Sequence, residues 1–314
     1  MTASPDNGAG KGEPIFGTLA VVGIGNLGSS VARAVRKYGA VDRVVVADLS
    51  AEALARAKEL KLADAYFEAP SKAVAEADIV VLCTPLGAFG AIAKAMAPHL
   101  KPGAIVTDVG SVKGAVVAAA GPHMPDTVAF VPGHPIAGTE KSGPDAGSSD
   151  LFVGRYWILT PDETTDRAAV ARVTELWTRC GAIVEEMKAE YHDKVLAVTS
   201  HLPHLIAYTI VGTAFDLEGQ EQQDVIRFSA GGFRDFTRIA GSSPIMWRDI
   251  FLNNREAVLE MLQRFSEDLS YLQRAIRWGE GDKLQDLFTR TREVRRGVIE
   301  AKQDKPFPEG GNGK

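Results

Sequence analysis

An α/β domain followed by an all-α domain is the fold class that the sequence predicts, and three observations predict it. Short apolar, β-branched runs alternate with helix-period segments up to about residue 188. The first of those runs passes directly into Gly23-x-Gly25-x-x-Gly28 at the head of a helical pattern. From residue 189 onward the strand-like runs vanish, and apolar residues recur three and four apart. The expected division is a disordered leader over 1–14, an α/β domain over 15–188, a helical domain over 189–301 and a polar tail over 302–314.

Composition excludes several functional classes. With 314 residues, 45% of them hydrophobic, the chain can build two domains with substantial cores. A net charge of −5 and a pI near 5.8 offer no basic surface for nucleic acid. Cys83 and Cys180 lie far apart in apolar context and form no metal-ligand pattern, so free thiols of a reducing cytosol are expected. No run approaches the roughly 18 consecutive apolar residues of a membrane span. The leader has no apolar h-region, so it is not a signal peptide. A cytoplasmic protein without membrane or nucleic-acid partners is expected.

In chain order, the run from Thr18 to Val22 reads as a buried strand, and Val31, Ala34 and Val35 mark one face of the helix behind it. In the glycine motif Gly23 permits the tight turn, Gly25 lets a pyrophosphate approach the backbone, and Gly28 lets helix and strand pack closely. Asn26, Leu27 and Gly28 open the helix, where N–H groups and the dipole favour phosphate. This is a Rossmann-type dinucleotide signature. A second strand, 43–47, leads to Asp48, twenty residues past Gly28. There a carboxylate would bind ribose hydroxyls and repel a 2′-phosphate, which favours NAD over NADP; the alternative is a solvated aspartate at a strand end.

Further strands are read at 78–83, 104–107 and 128–131, with a helix at 89–100. Thr84-Pro85 stops the first of these strands. Asp108-Val-Gly-Ser-Val-Lys113 follows the second and opens an Ala-rich helix, with Ser111 read as its N-cap. After the third comes Pro132-Gly-His-Pro-Ile-Ala-Gly-Thr-Glu-Lys-Ser-Gly143, a loop by composition. Parallel strands present their carboxyl ends on one edge, so these loops should converge with the glycine turn on one crevice. His134 then becomes a functional candidate rather than an incidental surface histidine. A strand–helix–strand unit over 156–160, 164–180 and 182–187 completes the domain.

The helical half begins with 190–215, apolar on more than one face and so expected to be buried, with a kink at Pro203. His201 and His204 are read first as core or hydrogen-bonded histidines, next as substrate contacts, and last as a metal pair lacking a third ligand. Arg234 and Arg238 stand in an apolar setting, which points to ion pairs, for instance with Asp235, or to anion binding by Arg238. Ser242-Ser243-Pro244 starts a helix expected to run to Trp278. Its Val258, Leu262, Phe265, Leu269, Leu272 and Ile276 form a heptad seam, packed within the subunit or across a dimer. Gly279 and Gly281 end it, and a last helix reaches about Ile299.

On the glycine motif, the Asp108–Lys113 run, Gly133-His-Pro-Ile-Ala-Gly-Thr-Glu-Lys-Ser-Gly143, His201-Leu-Pro-His204, and Gly232-Phe-Arg-Asp-Phe-Thr-Arg-Ile239 with Pro-Ile-Met-Trp247, the chain resembles the prephenate/arogenate (cyclohexadienyl) dehydrogenases of tyrosine biosynthesis over about residues 18–300. The resemblance implies an NAD(P)-binding domain, a helical dimerisation and substrate domain, and a homodimer. It implies His134 as catalytic base and Ser111 as the serine that orients it. Arg238 would hold a substrate carboxylate, His204 would line the substrate pocket, and Thr139 and Ser200 would contact substrate. The cofactor residues implied are Gly23, Gly25, Asn26, Leu27, Gly28, Asp48, Thr84 and Ser111, with NAD as cofactor and no metal. The expected reaction is NAD-dependent oxidative decarboxylation of prephenate. Preference for prephenate over arogenate is expected because no acid lies between Leu196 and Ile206 to receive an ammonium. No fused mutase or regulatory domain is expected. Three alternatives stay open: an arogenate-preferring dehydrogenase, another NAD-dependent reductase such as a β-hydroxyacid dehydrogenase, and a non-catalytic NAD sensor.

Overall fold

The computed structural model describes residues 12–216, 224–225 and 227–300. Most of the expected leader and the whole polar tail lie outside the described residues. By packing, the chain divides into two compact units that meet at Asn254 and Arg255.

In the first unit six strands form one parallel sheet, in the order β3-β2-β1-β4-β5-β6. They are β1 (Phe16–Val22), β2 (Val41–Ala47), β3 (Ala65–Phe67), β4 (Ile79–Leu82), β5 (Ile105–Asp108) and β6 (Ala129–Val131). Val80, Val106, Leu82 and Ala20 on the central strands are buried against helices bearing Val74, Phe89, Ala93, Met96 and Val116. Strands buried on both faces need apolar residues at every position, and Ile79 to Leu82 supplies such a run. Strand order reverses between β1 and β4, so the glycine turn after β1 and Thr84 after β4 flank the switch point where doubly wound sheets bind ligands. Both cysteines are free thiols, Cys180 buried and Cys83 half-buried.

Strand β6 is an edge strand of this sheet. The segment after it is not all loop, because Gly133–Pro135 forms β7, paired antiparallel with β8 (Tyr156–Leu159), which pairs parallel with β9 (Ile183–Glu186). Glycine and two prolines hide an extended conformation, yet proline is tolerated on an edge strand, and β7 is the edge of this second sheet. Gly133 is required there, because a Cβ would stand 2.8 Å from the Trp157 indole nitrogen. The sheet packs on the helix Arg167–Arg179, where Trp157 and Trp177 stack with centroids 3.6 Å apart.

The helical segments also depart from expectation. The stretch 189–215 is helical throughout, but its distortion is a π turn over Ala197–His201, ahead of Pro203. It has the length and composition of a membrane span, yet only 22% of its most apolar window is buried, and Ile210, Val211 and Phe215 are 37%, 39% and 67% exposed. The expected burial is therefore not met within this chain, since periodicity registers an apolar face and not what covers it. The helix expected to reach Trp278 is two helices, Pro244–Asn253 and Arg255–Arg277. Asn254 breaks them with φ −109° and ψ 33°, and its buried side chain turns inward to donate to the carbonyl of Asp193. The first of the two starts at Pro244 as expected, and the Ser243 side chain caps it.

The second unit is a helical hairpin, Arg255–Arg277 and Gly281–Glu300, joined through Gly279 at φ +66°. Of the expected seam, Val258 is buried, whereas Leu269 and Ile276 are 48% and 66% exposed.

Candidate active site

The crevice at the switch point is assembled by short-range backbone necessities. Gly23 has φ +96°, and a Cβ on it would stand 2.8 Å from the Cys83 backbone. A Cβ on Gly28 would stand 1.9 Å from the Gly23 carbonyl oxygen, so the helix Asn26–Lys37 can begin there only on glycine. Over Gly25 nothing lies within 4 Å. That helix has no side-chain cap and no acid in its first turn, which leaves its N–H groups and positive dipole end to an anion. Leu27 sits half-buried beside them. Asp48 accepts from Ile24 N–H at 2.7 Å and from Ser50 N–H at 2.8 Å, which fixes the carboxylate beside the glycine turn with lone pairs to spare. Asn26 Oδ1 and Thr84 Oγ1 are buried without a hydrogen-bond partner among the described residues. An open glycine, uncapped N–H groups, a fixed carboxylate and orphaned acceptors fit a dinucleotide.

The Asn26 amide nitrogen donates to Thr139 Oγ1 at 2.8 Å and to the Lys141 carbonyl at 3.0 Å. The expected cofactor turn and the expected substrate loop are thereby tied together. From that loop Glu140 pairs with Arg238 Nη1 at 3.0 Å. Arg234 pairs with Asp235 instead, and both arginines are exposed rather than enclosed in apolar surroundings. Sequence context suggested burial because their flanking residues are apolar, but Arg238 stands on the turn after a helix of only seven residues, Gly231–Thr237.

His134 lies on β7, buried to 8% exposure. Its backbone neighbour Gly133 is held from both sides: Asp108 Oδ1 accepts the Gly133 N–H at 3.0 Å, and Lys113 Nζ donates to the Gly133 carbonyl at 2.5 Å. Lys113 Nζ also donates to Asp108 Oδ2, an ion pair with both side chains at 0% exposure. The His134 ring meets His192 through Nδ1···Nε2 at 2.8 Å, and His192 Nδ1 meets Asp193 Oδ1 at 2.8 Å. Burial lowers the pKa of His134 well below its ordinary value, reinforced by His192, Lys113 and His201. Burial likewise lowers His192, against the opposing pull of Asp193. Burial alone would raise Asp193, but hydrogen bonds from His192, Gly114 and Lys113 outweigh it and hold the carboxyl below its usual range. The pair is a neutral imidazole couple backed by an ionised carboxylate.

Ser111 is not the N-cap expected of it. The N-cap of Lys113–Ala120 is Val112, without a side-chain cap. Asp193 performs that duty from eighty residues on, accepting from Lys113 N–H at 2.8 Å and Gly114 N–H at 2.9 Å. The His134 Nδ1 is engaged by His192, and among the described residues no hydrogen bond joins Ser111 to His134. A cap read from neighbouring residues cannot register an acceptor brought in by tertiary packing. His192, Asp193 and Lys113 were missed for that reason, although Lys113 closes a motif already legible in sequence.

On the helical side His204 stacks on Trp247 with centroids 3.7 Å apart, and its Nδ1 donates to the Ser200 carbonyl at 2.8 Å. The backbone acceptor fixes the tautomer with Nε2 bare. Of Ser200, then, the main-chain oxygen is engaged. His201 is buried and meets Asn254 at 3.0 Å.

The description "Prephenate dehydrogenase, nucleotide-binding domain" matches residues 31–186, and "Prephenate dehydrogenase, dimerization domain" matches residues 188–290. The cyclohexadienyl dehydrogenase of Zymomonas mobilis is 43% identical over 90% of this chain and 96% of its own length. The prephenate dehydrogenase of Bacillus subtilis is 34% identical over 90% of this chain and 76% of its own. Among solved structures, prephenate dehydrogenase from Aquifex aeolicus in complex with hydroxyphenyl propionate and NAD+ has a TM-score of 0.83 at 36% identity, covering 90% of this chain and 98% of that one. Arogenate dehydrogenase from Synechocystis has a TM-score of 0.75 at 29% identity, covering 90% and 99%. With its glycine turn, its buried histidine couple and these relatives, the chain belongs to the prephenate dehydrogenase family of oxidoreductases.

Proposed function

We propose that the protein catalyses NAD-dependent oxidative decarboxylation of prephenate to 4-hydroxyphenylpyruvate in tyrosine biosynthesis, with arogenate as an alternative substrate. The observation that carries this reading is His134, a buried neutral imidazole on β7, just beyond the carboxyl end of β6 in the sheet whose β1 leads into the glycine turn. NAD, when bound, supplies the hydride acceptor. His134 takes the proton of the C4 hydroxyl at Nε2, the nitrogen not bonded to His192. Hydride leaves C4 as the C4–O bond becomes a carbonyl, and the C1 carboxylate departs as carbon dioxide. The electron pair of the broken bond moves through the ring to the C4 oxygen, which takes the proton back from His134 as the ring becomes aromatic. Arg238 binds a substrate carboxylate with the nitrogens that Glu140 leaves unused. His204 and Trp247 form a stacked wall of the substrate pocket. Ser111, relieved of capping, serves the cofactor. Thr139 and Ser200 are assigned as further substrate contacts.

The functional boundary is placed at residue 188, which the two family matches, ending at 186 and beginning at 188, support. A cytoplasmic homodimer is proposed from the exposed apolar helix 202–215 together with the description of the second matched domain. Initial rates of NADH formation with prephenate and arogenate, measured side by side, test the activity. Turnover of both, with prephenate preferred, is expected; turnover of neither refutes the assignment.

A further inference from the structure

His192 is fully buried and Asp193 is 8% exposed, although neither has a part in the chemistry as written. An imidazole and a carboxylate in a core are costly unless donors meet acceptors. Here the pattern of donors and acceptors is determinate. Asp193 accepts two backbone N–H groups and, being ionised, has no proton to give. The His192 Nδ1 facing it at 2.8 Å must therefore carry the hydrogen. A neutral His192 then turns a bare Nε2 toward His134 Nδ1, also at 2.8 Å. That nitrogen of His134 must carry a hydrogen in its turn, which leaves Nε2 bare. The two rings meet edge-on, with planes 71° apart.

We propose that His192 and Asp193 are positioning residues for the reaction: Asp193, anchored on the helix at Lys113 and Gly114, sets the tautomer of His192, and His192 sets the tautomer of His134. The proposal rests on His134 being the base. When Nε2 accepts the hydroxyl proton, the new charge sits on a ring already donating to His192, with the Asp193 carboxylate next in line. The proton returns to the C4 oxygen when decarboxylation leaves it a phenolate. The other charged or titratable groups bearing on the couple are Lys113 and His201 at His134, and Lys113 and Asp108 at His192. The Lys113 cation opposes charge on either ring, which makes Asp193 the counter-ion that matters.

Asp193→Asn tests this with an isosteric change. Lys113 N–H and His192 Nδ1 share Oδ1 while Gly114 N–H meets Oδ2, so the amide sets its NH2 against one backbone donor in either orientation and removes the negative charge behind His192. The expected result is a fall in kcat of about 100-fold or more, the scale of a general base that loses the carboxylate behind it. The KM for prephenate and the Kd for NAD should stay near parental. In the parent enzyme, histidine-selective 15N NMR should show His134 with Nδ1 protonated and Nε2 bare. His192→Gln can donate to Asp193 and accept from His134, so it should recover much of the rate that His192→Phe loses. Parental kcat in both Asp193→Asn and His192→Phe, or a protonated Nε2 on His134 in the parent enzyme, would overturn the proposal. His134→Asn separates the two readings: full activity there removes the base assignment, while the parent's NMR tautomer still decides on the chain. Should Asp193→Asn not fold, the two His192 variants and the parent spectrum decide alone.

Discussion

At Arg238 one exposed ion pair stands between the guanidinium and any incoming anion. Pairs as exposed as Arg238–Glu140, at 58% and 34%, contribute only about 0.2–1 kcal/mol. A substrate carboxylate gripped by two charge-assisted hydrogen bonds outbids that contact. Arg238→Gln should therefore raise the KM for prephenate by about tenfold or more and leave the KM for NAD nearly unchanged. Initial-rate kinetics with each substrate varied in turn would show it, and equal effects on both would mark Arg238 as structural. Asp48 allows a second prediction. Its carboxylate is pinned by Ile24 and Ser50 N–H groups and cannot swing aside for a 2′-phosphate, so kcat/KM should favour NAD over NADP. Comparable values for the two cofactors would refute it. At this scale the sequence was legible wherever a residue's duty follows from its neighbours, as for Gly23, Gly28 and Pro244. Duties that depend on partners distant in the chain, as for Asp193 and Lys113, were not legible.

Among elements, the helix Asn26–Lys37 is the one whose placement tolerates least. The Gly23 carbonyl would lie 1.9 Å from a Cβ on Gly28, and that obstacle is backbone, not a flexible side-chain tip. Gly28→Ala must push the helix off the strand. The expected outcome is a loss of about 1–3 kcal/mol of stability together with strongly weakened NAD binding. Chemical denaturation and NAD titration measure the two, and parental values for both would show that the turn can relax. Strand–helix alternation in the first half was readable because each element repeats its own period. Strand β7 was not, since its extended state is imposed by pairing with Trp157 and Ile158 rather than by its own residues. The break at Asn254 was likewise hidden: both flanking helices are continuous in pattern, and the buried contacts of Asn254 to the Asp193 carbonyl and to His201 interrupt them.

For the whole molecule, the apolar face left open on the helix 202–215 sets the expected assembly. A dimer that covers Ile210, Val211 and Phe215 should be weakened by about 100-fold or more in dissociation constant when Val211→Asp buries an unpaired carboxylate. Sedimentation velocity across a concentration series reads this directly, and a parent that sediments as a monomer would refute the premise. The Asp193 carboxylate has a consequence at this scale as well. It belongs to the stretch matched as the dimerization domain, yet it closes the helix at Lys113 and stands behind the histidine of the nucleotide-binding half. The boundary at residue 188 is therefore not a seam along which the protein can be recombined. A fragment ending there would retain its glycine turn and Asp48 but lose the acceptor for two helix N–H groups and the register of its base. Chimaeras between relatives should keep turnover only when the segment carrying His192 and Asp193 travels with the first half.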